Sequence, residues 1–186
     1  MIENWWPTQI GYYDNPNHVD ISSHCLDIKN KVESGGAGWV SNDTYNTSDQ
    51  KYEIVGKPEF QSINDFVFSC VHDYMDKTQM RFEYGNVYGW FNVYEQGDYQ
   101  EFHDHSPGII SCVYFINESE STLCFRSNFK DQQHIQYEEI FNNTNSILKY
   151  KTIPGRCIVF RSYLPHCVDK HKSDTPRITL AYNFYS

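Results

Sequence analysis

The sequence predicts a mainly β protein of the α+β kind, a double-stranded β-helix (jelly roll) of about eight core strands with N-terminal covering helices. Two observations indicate this class. Apolar residues recur with the period of an α-helix before about residue 85, and with the period of two that is typical of strands after it. Turn residues separate the apolar runs of the second part at short intervals, for example at Gly97-Asp98 and Pro154-Gly155.

Length and composition predict a single domain over residues 1–186, with a helical and loop region at 1–84 packed on the jelly-roll core at 85–186. A chain of this length buries one hydrophobic core but is short for two. With 17% aromatic and 21% charged residues, it is too apolar for a disordered protein.

Two segments of the first part have apolar residues at helical spacing, one over 21–32 and one over 63–78. Ser62, with Asp65 three residues later, resembles a capping box at the start of the second segment. Between the segments, residues 33–56 are rich in Gly, Ser, Asn, Asp and Thr, which predicts an ordered but irregular loop.

Eight segments of the second part are rich in β-branched or aromatic residues and are predicted as strands. The polar segment 128–145 between two of them is long for a hairpin loop, so we interpret it as a disordered loop or a lid. The strands cover approximately 88–94, 99–105, 109–116, 122–127, 146–151, 155–161, 164–169 and 176–184.

The charge balance argues against several partners. With 15 Lys and Arg against 24 Asp and Glu, the net charge is -9, so no general cationic field is available for phosphate backbones or an anionic membrane. We therefore expect neither nucleic acid nor a membrane as a partner. No apolar run approaches the roughly 20 residues that span a bilayer, and the first residues lack an apolar signal segment. These features predict a cytoplasmic protein whose six cysteines are reduced and mostly buried.

Two histidines two positions apart form the first candidate site. On a strand, His103 and His105 lie on the same face, so both imidazoles can bind one ion, while Asp104 points away. The same alternation places Tyr99 on the face of His103, where we expect it to line the pocket. Taken alone, the pattern is weak evidence for a metal site and is also typical of a pair of surface histidines beside a turn.

A third histidine and an arginine follow. His166 would enter from a facing strand and complete a set of three ligands, although alone it is also compatible with a core or loop residue. Arg177 opens the last strand, where alternation places Thr179 on the same face and Tyr182 and Phe184 on the opposite face, under the covering helices. A guanidinium with a hydroxyl two residues later suits a carboxylate, whereas a lone arginine at a strand end usually forms a surface ion pair.

Together, the His-x-His pair, the distant histidine and the Arg-x-Thr pair resemble the Fe(II)- and 2-oxoglutarate-dependent (2OG-Fe(II)) oxygenases. Within them, the chain resembles a small subfamily with a His-x-His motif from phage and marine bacterial genomes. The broad superfamily has an aspartate where this chain has His105. The elements that carry the resemblance are Gly38-Trp39-Val40-Ser41, Trp90-Phe91-Asn92-Val93, Gly97, His103-Asp104-His105, Ser111-Cys112-Val113-Tyr114-Phe115, Gly155, Phe160, His166, Arg177 and Asn183.

The resemblance implies a metal site and a cosubstrate site. His103, His105 and His166 would hold Fe(II), and Asp104 would replace His105 only if a bulge turned it inward. The implied reaction is hydroxylation of an unidentified small-molecule or peptide substrate with decarboxylation of 2-oxoglutarate to succinate, in the host cytoplasm if the protein is phage-encoded. The residues implied to bind 2-oxoglutarate or line its pocket are Arg177, Thr179, Tyr114 and Asn92.

Two other functions stay open from the sequence. The three histidines are compatible with a cupin-like metalloenzyme that does not use 2-oxoglutarate, in which Arg177 would hold a substrate anion. The chain is also compatible with a non-catalytic jelly-roll binding protein. Neither the prime substrate nor the oligomeric state, with a homodimer among the possibilities, follows from the sequence. The remaining histidines are interpreted as surface residues: His18, His24, His72, His134 and His171.

Overall fold

The computed structural model describes residues 8–36, 44–126 and 147–186, and within them the chain has ten strands and two α-helices. The segment 128–145, the element at 38–41 and His134 lie outside these residues. No described helix is long and apolar enough to cross a membrane. The strands are β1 (Ile10–Asp14), β2 (Tyr45–Asn46), β3 (Asn86–Tyr94), β4 (Gln100–His103), β5 (Ile110–Phe115), β6 (Ser119–Arg126), β7 (Ile147–Thr152), β8 (Arg156–Arg161), β9 (His166–Val168) and β10 (Arg177–Tyr185), and the helices are α1 (Ser22–Lys29) and α2 (Gln61–Lys77).

The strands form two sheets in which every described pairing is antiparallel. The larger sheet has the order β1-β8-β5-β10-β3-β2, and the smaller has the order β4-β9-β6-β7. Phe115 and Phe160 of the larger sheet share an apolar cluster with Leu123 and Phe125 of the smaller one. The sheets therefore pack face to face, and the predicted mainly β, two-sheet jelly-roll class is confirmed.

Each of the eight predicted strand segments overlaps one strand, although the ends differ. The segment 99–105 is reduced to the four residues of β4, and 164–169 to the three of β9. Two further strands were not predicted: β1, at the edge of the larger sheet beside β8, and the two-residue β2. Neither has a clear periodic signal, because β1 contains Gly11 and β2 is too short to show alternation.

Helix α2 covers the outer face of the larger sheet. Its buried residues, including Val67 and Tyr74, belong to the same apolar cluster as Leu180 and Tyr182 of β10. The Tyr182 hydroxyl donates a hydrogen bond of 2.8 Å to Oδ1 of Asn64 on this helix. The prediction that one face of the last strand packs under a covering helix is confirmed, so the other face of β10 is directed between the two sheets.

The start of α2 differs from the prediction. A 3₁₀ turn over Pro58–Phe60 leads directly into the helix, and Phe60 at its N-cap makes no side-chain capping hydrogen bond. Asp65 accepts a hydrogen bond of 2.7 Å from Nε2 of Gln61. The capping box predicted at Ser62 is therefore wrong, because the chain enters α2 from a helical turn and has no extended residue at that point.

The six cysteines are free thiols and five of them are buried, so the prediction that they are reduced and mostly buried is confirmed. Cys70, Cys112 and Cys157 belong to the apolar cluster under α2. Burial raises the pKa of the Cys157 thiol, which therefore stays protonated and behaves as a small apolar side chain.

Two leucines provide a matched test of this packing. Leu180 is 0% exposed between β10 and α2, whereas Leu148 on β7 is 49% exposed. We expect Leu180→Ala to lower the free energy of unfolding by about 2–5 kcal/mol, because it loses apolar burial and leaves a cavity. Leu148→Ala should change it by about 0.5 kcal/mol or less. Urea denaturation measures both, and equal losses would contradict the packing described.

Candidate functional site

Three histidines converge in the space between the two sheets. His103 is the last residue of β4 and lies directly opposite His166, the first residue of β9. His105 follows two residues after β4, where its backbone N–H donates to the carbonyl of Ser162 at 2.9 Å. One ligand atom from each of the three imidazoles lies within 4.8 Å of those of the other two. Strand pairing and one backbone hydrogen bond thus bring together residues that are 63 positions apart.

Backbone carbonyls select the tautomer of two of these rings. Nδ1 of His103 is 2.8 Å from the carbonyl of Glu101, and Nδ1 of His166 is 2.9 Å from that of Leu164. A carbonyl oxygen only accepts, so in both rings Nδ1 carries the proton and donates. The lone pair is therefore on Nε2, and this is the arrangement usual for histidines that bind metals.

The environment keeps all three imidazoles neutral. Burial lowers the pKa of His103 and His166. Burial, followed by the repulsion that protonated His103 would exert, lowers the pKa of His105 to about 3. A neutral imidazole offers the lone pair that a metal ion needs. Asp104, in contrast, is exposed and accepts a hydrogen bond of 2.9 Å from the N–H of Ser106. The structure thus brings His105, and not Asp104, into the cluster.

The histidines line a cavity of about 230 Å³ that continues toward the start of β10. This is smaller than the roughly 300–1,000 Å³ of pockets that enclose drug-sized ligands. Val113, Leu123 and Val168 form apolar parts of its wall, and Arg177 and Thr179 also line it. The cavity therefore suits one small polar molecule that extends from the histidines to the arginine.

Arg177 is a buried cation without a complete set of partners. Its side chain is 0% exposed, and its guanidinium lies 4.9 Å from the ring centre of Tyr94 and 5.6 Å from that of Phe115. Nε donates to Oγ1 of Thr152 at 3.4 Å, whereas Nη1 and Nη2 have no hydrogen-bond partner among the described residues. A buried charge of this kind is costly unless an anion pairs with it, and the guanidinium fork matches a carboxylate.

A hydrogen-bond chain prepares Thr179 as a second donor. The indole Nε1 of Trp90, which can only donate, bonds Oδ1 of Asn92 at 3.2 Å and so determines the orientation of that amide. Nδ2 of Asn92 then donates to Oγ1 of Thr179 at 3.3 Å. Because the Thr179 oxygen already accepts, its own O–H is available to a ligand in the cavity.

Tyr94 is a cavity residue that the sequence analysis missed. It pairs with Arg177 in register across β3 and β10, and its ring stacks on the guanidinium. Burial raises the pKa of its hydroxyl, which the nearby Arg177 charge opposes. Tyr94 is two residues after Asn92 on the same strand face, so extending that alternation would have found it.

The expected role of Tyr114 in 2-oxoglutarate binding is wrong. Tyr114 pairs with Leu180 in register and belongs to the apolar cluster under α2, while its neighbour Val113 lines the cavity. Its hydroxyl accepts from Nδ2 of Asn15 at 3.1 Å and lies 2.8 Å from Nδ1 of His18. The side chain is therefore on the opposite face of β5 from the site.

Two histidines interpreted as surface residues also have structural partners. Nε2 of His18 donates to the carbonyl of Ile116 at 2.9 Å, which leaves Nδ1 to accept from the Tyr114 hydroxyl. His171 is buried, and its Nε2 donates to the carbonyl of Thr175 at 2.8 Å. Both interpretations are corrected, because sequence spacing carries no signal for such long-range contacts.

The prediction that Tyr99 lines the pocket is also wrong. Tyr99 is 38% exposed and does not line the cavity, whereas the next residue, Gln100, is buried and does. The pairing of β4 with β9 shifts register between Gln100 and His103. Such an irregularity turns the residues before it to the opposite faces of the strand. Counting back from His103 in steps of two therefore selects Tyr99, whereas Gln100 is the residue that lines the cavity.

The comparisons with known proteins agree with this site. Residues 88–183, more than half of the chain, match the family model described as "Putative 2OG-Fe(II) oxygenase". The chain belongs to this oxygenase family. The stretch of the oxygenase that matches includes its three clustered histidines and Arg177, which are the residues on which the resemblance rested. A comparison with curated proteins gives no match.

Solved structures share the fold of this oxygenase at low identity. A prolyl-4-hydroxylase from Pseudomonas putida is 12% identical with a TM-score of 0.69, over 96% of this chain and 94% of that one. HygX from Streptomyces hygroscopicus, solved with nickel and 2-oxoglutarate bound, is 8% identical with a TM-score of 0.59, over 96% and 83%. The viral collagen prolyl hydroxylase of Paramecium bursaria Chlorella virus-1 is 13% identical with a TM-score of 0.56, over 94% of both chains.

The residues of this oxygenase fit the two groups that its family name implies. Imidazole nitrogen is a suitable ligand for iron, although the usual set for such iron sites has two histidines and one carboxylate. His105 provides a third neutral nitrogen in place of that carboxylate. The Nη atoms of Arg177, which have no hydrogen-bond partner among the residues that the structure describes, fit the carboxylate of a 2-oxo acid.

Metal content tests the histidine cluster. We expect His103→Ala and His166→Ala each to reduce the bound transition metal from about one per chain to near zero, because each removes one of three ligands. His72→Ala on α2 is the control, since His72 contacts Tyr84 outside the cluster. Elemental analysis of protein purified without chelators gives the stoichiometry, and full metal content in His166→Ala would refute the cluster as a metal site.

Proposed function

We propose that this chain is an Fe(II)- and 2-oxoglutarate-dependent dioxygenase that hydroxylates a small-molecule or peptide substrate. The observation that carries the proposal is the buried guanidinium of Arg177, two of whose nitrogens have no partner in the described part of the chain, in one cavity with three neutral imidazoles. An ion site alone has no need of a buried guanidinium. A carboxylate site alone has no need of three converging lone pairs.

In this proposal, His103, His105 and His166 hold Fe(II) through ring nitrogens. The carbonyls that bond Nδ1 of His103 and His166 restrict the rotation of both rings and direct Nε2 toward the ion. Phe160 packs edge-on against the ring of His166, with 4.8 Å between ring centres. Three neutral ligands do not compensate the +2 charge of the ion, which favours an anionic cosubstrate in the remaining positions.

The other end of the cavity holds the distal carboxylate of 2-oxoglutarate. Nη1 and Nη2 of Arg177 donate to its oxygens, and the free O–H of Thr179 donates a further hydrogen bond. Asn92 acts through Thr179 and is therefore a positioning residue. This corrected donor set excludes Tyr114, whose hydroxyl is on the other face of β5.

Iron and 2-oxoglutarate, when bound, would supply the oxidising chemistry with dioxygen as the oxidant. 2-Oxoglutarate loses CO2 and becomes succinate, which takes one oxygen atom, and the other oxygen atom enters a C–H bond of the substrate as a hydroxyl group. The protein contributes orientation and a dry cavity. Val113, Leu123 and Val168 exclude water from the space between the histidines and Arg177.

The prime substrate would reach the histidines from the side opposite Arg177. Along β3, Tyr94 stacks on Arg177, Trp90 lies 5.7 Å from the ring centre of His105, and Tyr88 lies two residues further out. Tyr88 and Tyr185 line this outer part of the cavity. Aromatic side chains at the entrance favour a small molecule or an extended peptide as the substrate, and the net charge of -9 argues against nucleic acid.

Anaerobic titration of the Fe(II)-loaded protein with 2-oxoglutarate tests this function. Binding should produce a weak visible charge-transfer band, and succinate should form when oxygen is admitted. We expect Arg177→Leu to raise the dissociation constant of 2-oxoglutarate about 10- to 100-fold, because a charge-assisted bidentate interaction is lost.

Arg81→Leu is the matched control, since Arg81 is exposed and lies outside this cavity. It should leave the titration unchanged. Absence of the band with the wild-type protein would refute the proposed cosubstrate. Stoichiometric metal without succinate under any substrate would favour the cupin-like alternative.

The hydrogen-bond chain gives a second prediction. In Asn92→Asp, the new carboxylate accepts from the Thr179 hydroxyl and removes that donor from the ligand, and its charge repels the distal carboxylate. We expect affinity for 2-oxoglutarate to fall about tenfold or more in the same titration. Asn86→Asp, at the exposed start of β3, is the control and should keep wild-type affinity. Equal affinities would mean that Asn92 does not position Thr179.

A further inference from the structure

Gln100 is a buried donor that the proposed function does not use. It is 9% exposed and lines the same cavity as His103 and Arg177. Its Nε2 is buried and has no hydrogen-bond partner within the part of the chain that the structure describes. A buried amide nitrogen without an acceptor loses its hydration without compensation, so it indicates a ligand acceptor in the cavity.

The sheet places Gln100 beside the histidines. Gln100 pairs with Val168 and His103 pairs with His166, so three steps along β4 correspond to two steps along β9. Because of this irregularity, Gln100 shares a face with Val168, which also lines the cavity. The Gln100 pair is thus the next one inward from the histidine pair, on the smaller sheet, whereas Arg177 belongs to the larger sheet.

We propose that Nε2 of Gln100 donates a hydrogen bond to the 2-oxo acid end of 2-oxoglutarate, the end held at the histidines. This inference rests on the proposed function. Arg177 and Thr179 already supply donors for the distal carboxylate, whereas Gln100 is one strand pair away from the histidines. A neutral amide adds an N–H donor there without adding charge, so Gln100 selects for the oxo-acid group and orients it.

Two probes distinguish contacts to the oxo-acid end of the cosubstrate from contacts to its distal carboxylate. 2-Oxoglutarate has both the oxo-acid group and the distal carboxylate, whereas 2-oxopentanoate has only the oxo-acid group. Both are titrated anaerobically into the Fe(II)-loaded protein, and dissociation constants are read from the charge-transfer band and by calorimetry. These readouts measure binding and do not depend on turnover.

We expect Gln100→Leu to weaken both probes by the same factor of about tenfold, because one hydrogen bond to a charged group is lost. Gln100→Glu should weaken both further, since its carboxylate repels the oxo acid. Arg177→Leu should weaken 2-oxoglutarate and leave 2-oxopentanoate unchanged. Gln61→Leu on the exposed start of α2 is the matched control and should change neither.

The outcomes distinguish this inference from the function on which it rests. If the wild-type protein binds neither probe, the proposed function is wrong and the role of Gln100 falls with it. If the wild type binds both and Gln100→Leu is unchanged, only the Gln100 assignment is wrong. Loss for 2-oxoglutarate alone would also overturn it, because the contact would then be at the distal end. Gln100→Met, of similar length, replaces the leucine variant if that variant does not retain wild-type metal content.

Discussion

The guanidinium of Arg177 lies between the two sheets with one long hydrogen bond, and two of its nitrogens have no hydrogen-bond partner among the described residues. The packing on both faces of β10 keeps this charge buried. Alternation along β10 directs Arg177 and Thr179 between the sheets and Leu180 and Tyr182 to the opposite face. Those two apolar side chains must be covered, and α2 covers them. Aromatic rings on the guanidinium replace part of its hydration but accept no strong hydrogen bond. A buried cation of this kind is compatible with a stable protein when its place is a binding site for an anion.

The histidine cluster has a matching requirement. Its imidazoles are neutral, so a divalent ion held there would bring charge that no ligand compensates. Among the described residues that line the cavity, Asp49 at the outer end is the only carboxylate. A dianion that extends from the ion to Arg177 would neutralise both positive centres at once. This electrostatic match, together with the family likeness, is why we propose 2-oxoglutarate as the cosubstrate.

Much of the candidate site was predictable because its chemistry is carried by rare residue types in a fixed order. His103, His166 and Arg177 could be selected without knowing any contact, since spacing and residue type sufficed for a family resemblance. The predictions that Tyr114 and Tyr99 line the cavity were wrong for a different reason. Each is an aromatic residue next to a residue that lines the cavity, and an aromatic side chain is as suitable for the core as for a pocket wall.

The sequence by itself determined that a helical part precedes a β part, which strands carry the site and which face of β10 bears Arg177. Only the tertiary structure decided that Gln100 lines the cavity and Tyr99 does not, and that His105 joins the cluster from beyond the end of β4. The physical reason is that the face of a strand residue depends on its register with the neighbouring strand. The alternation of residue types along β4 does not show where its register with a neighbouring strand shifts. The shift between Gln100 and His103 occurs in the pairing of β4 with β9, which is distant in the sequence.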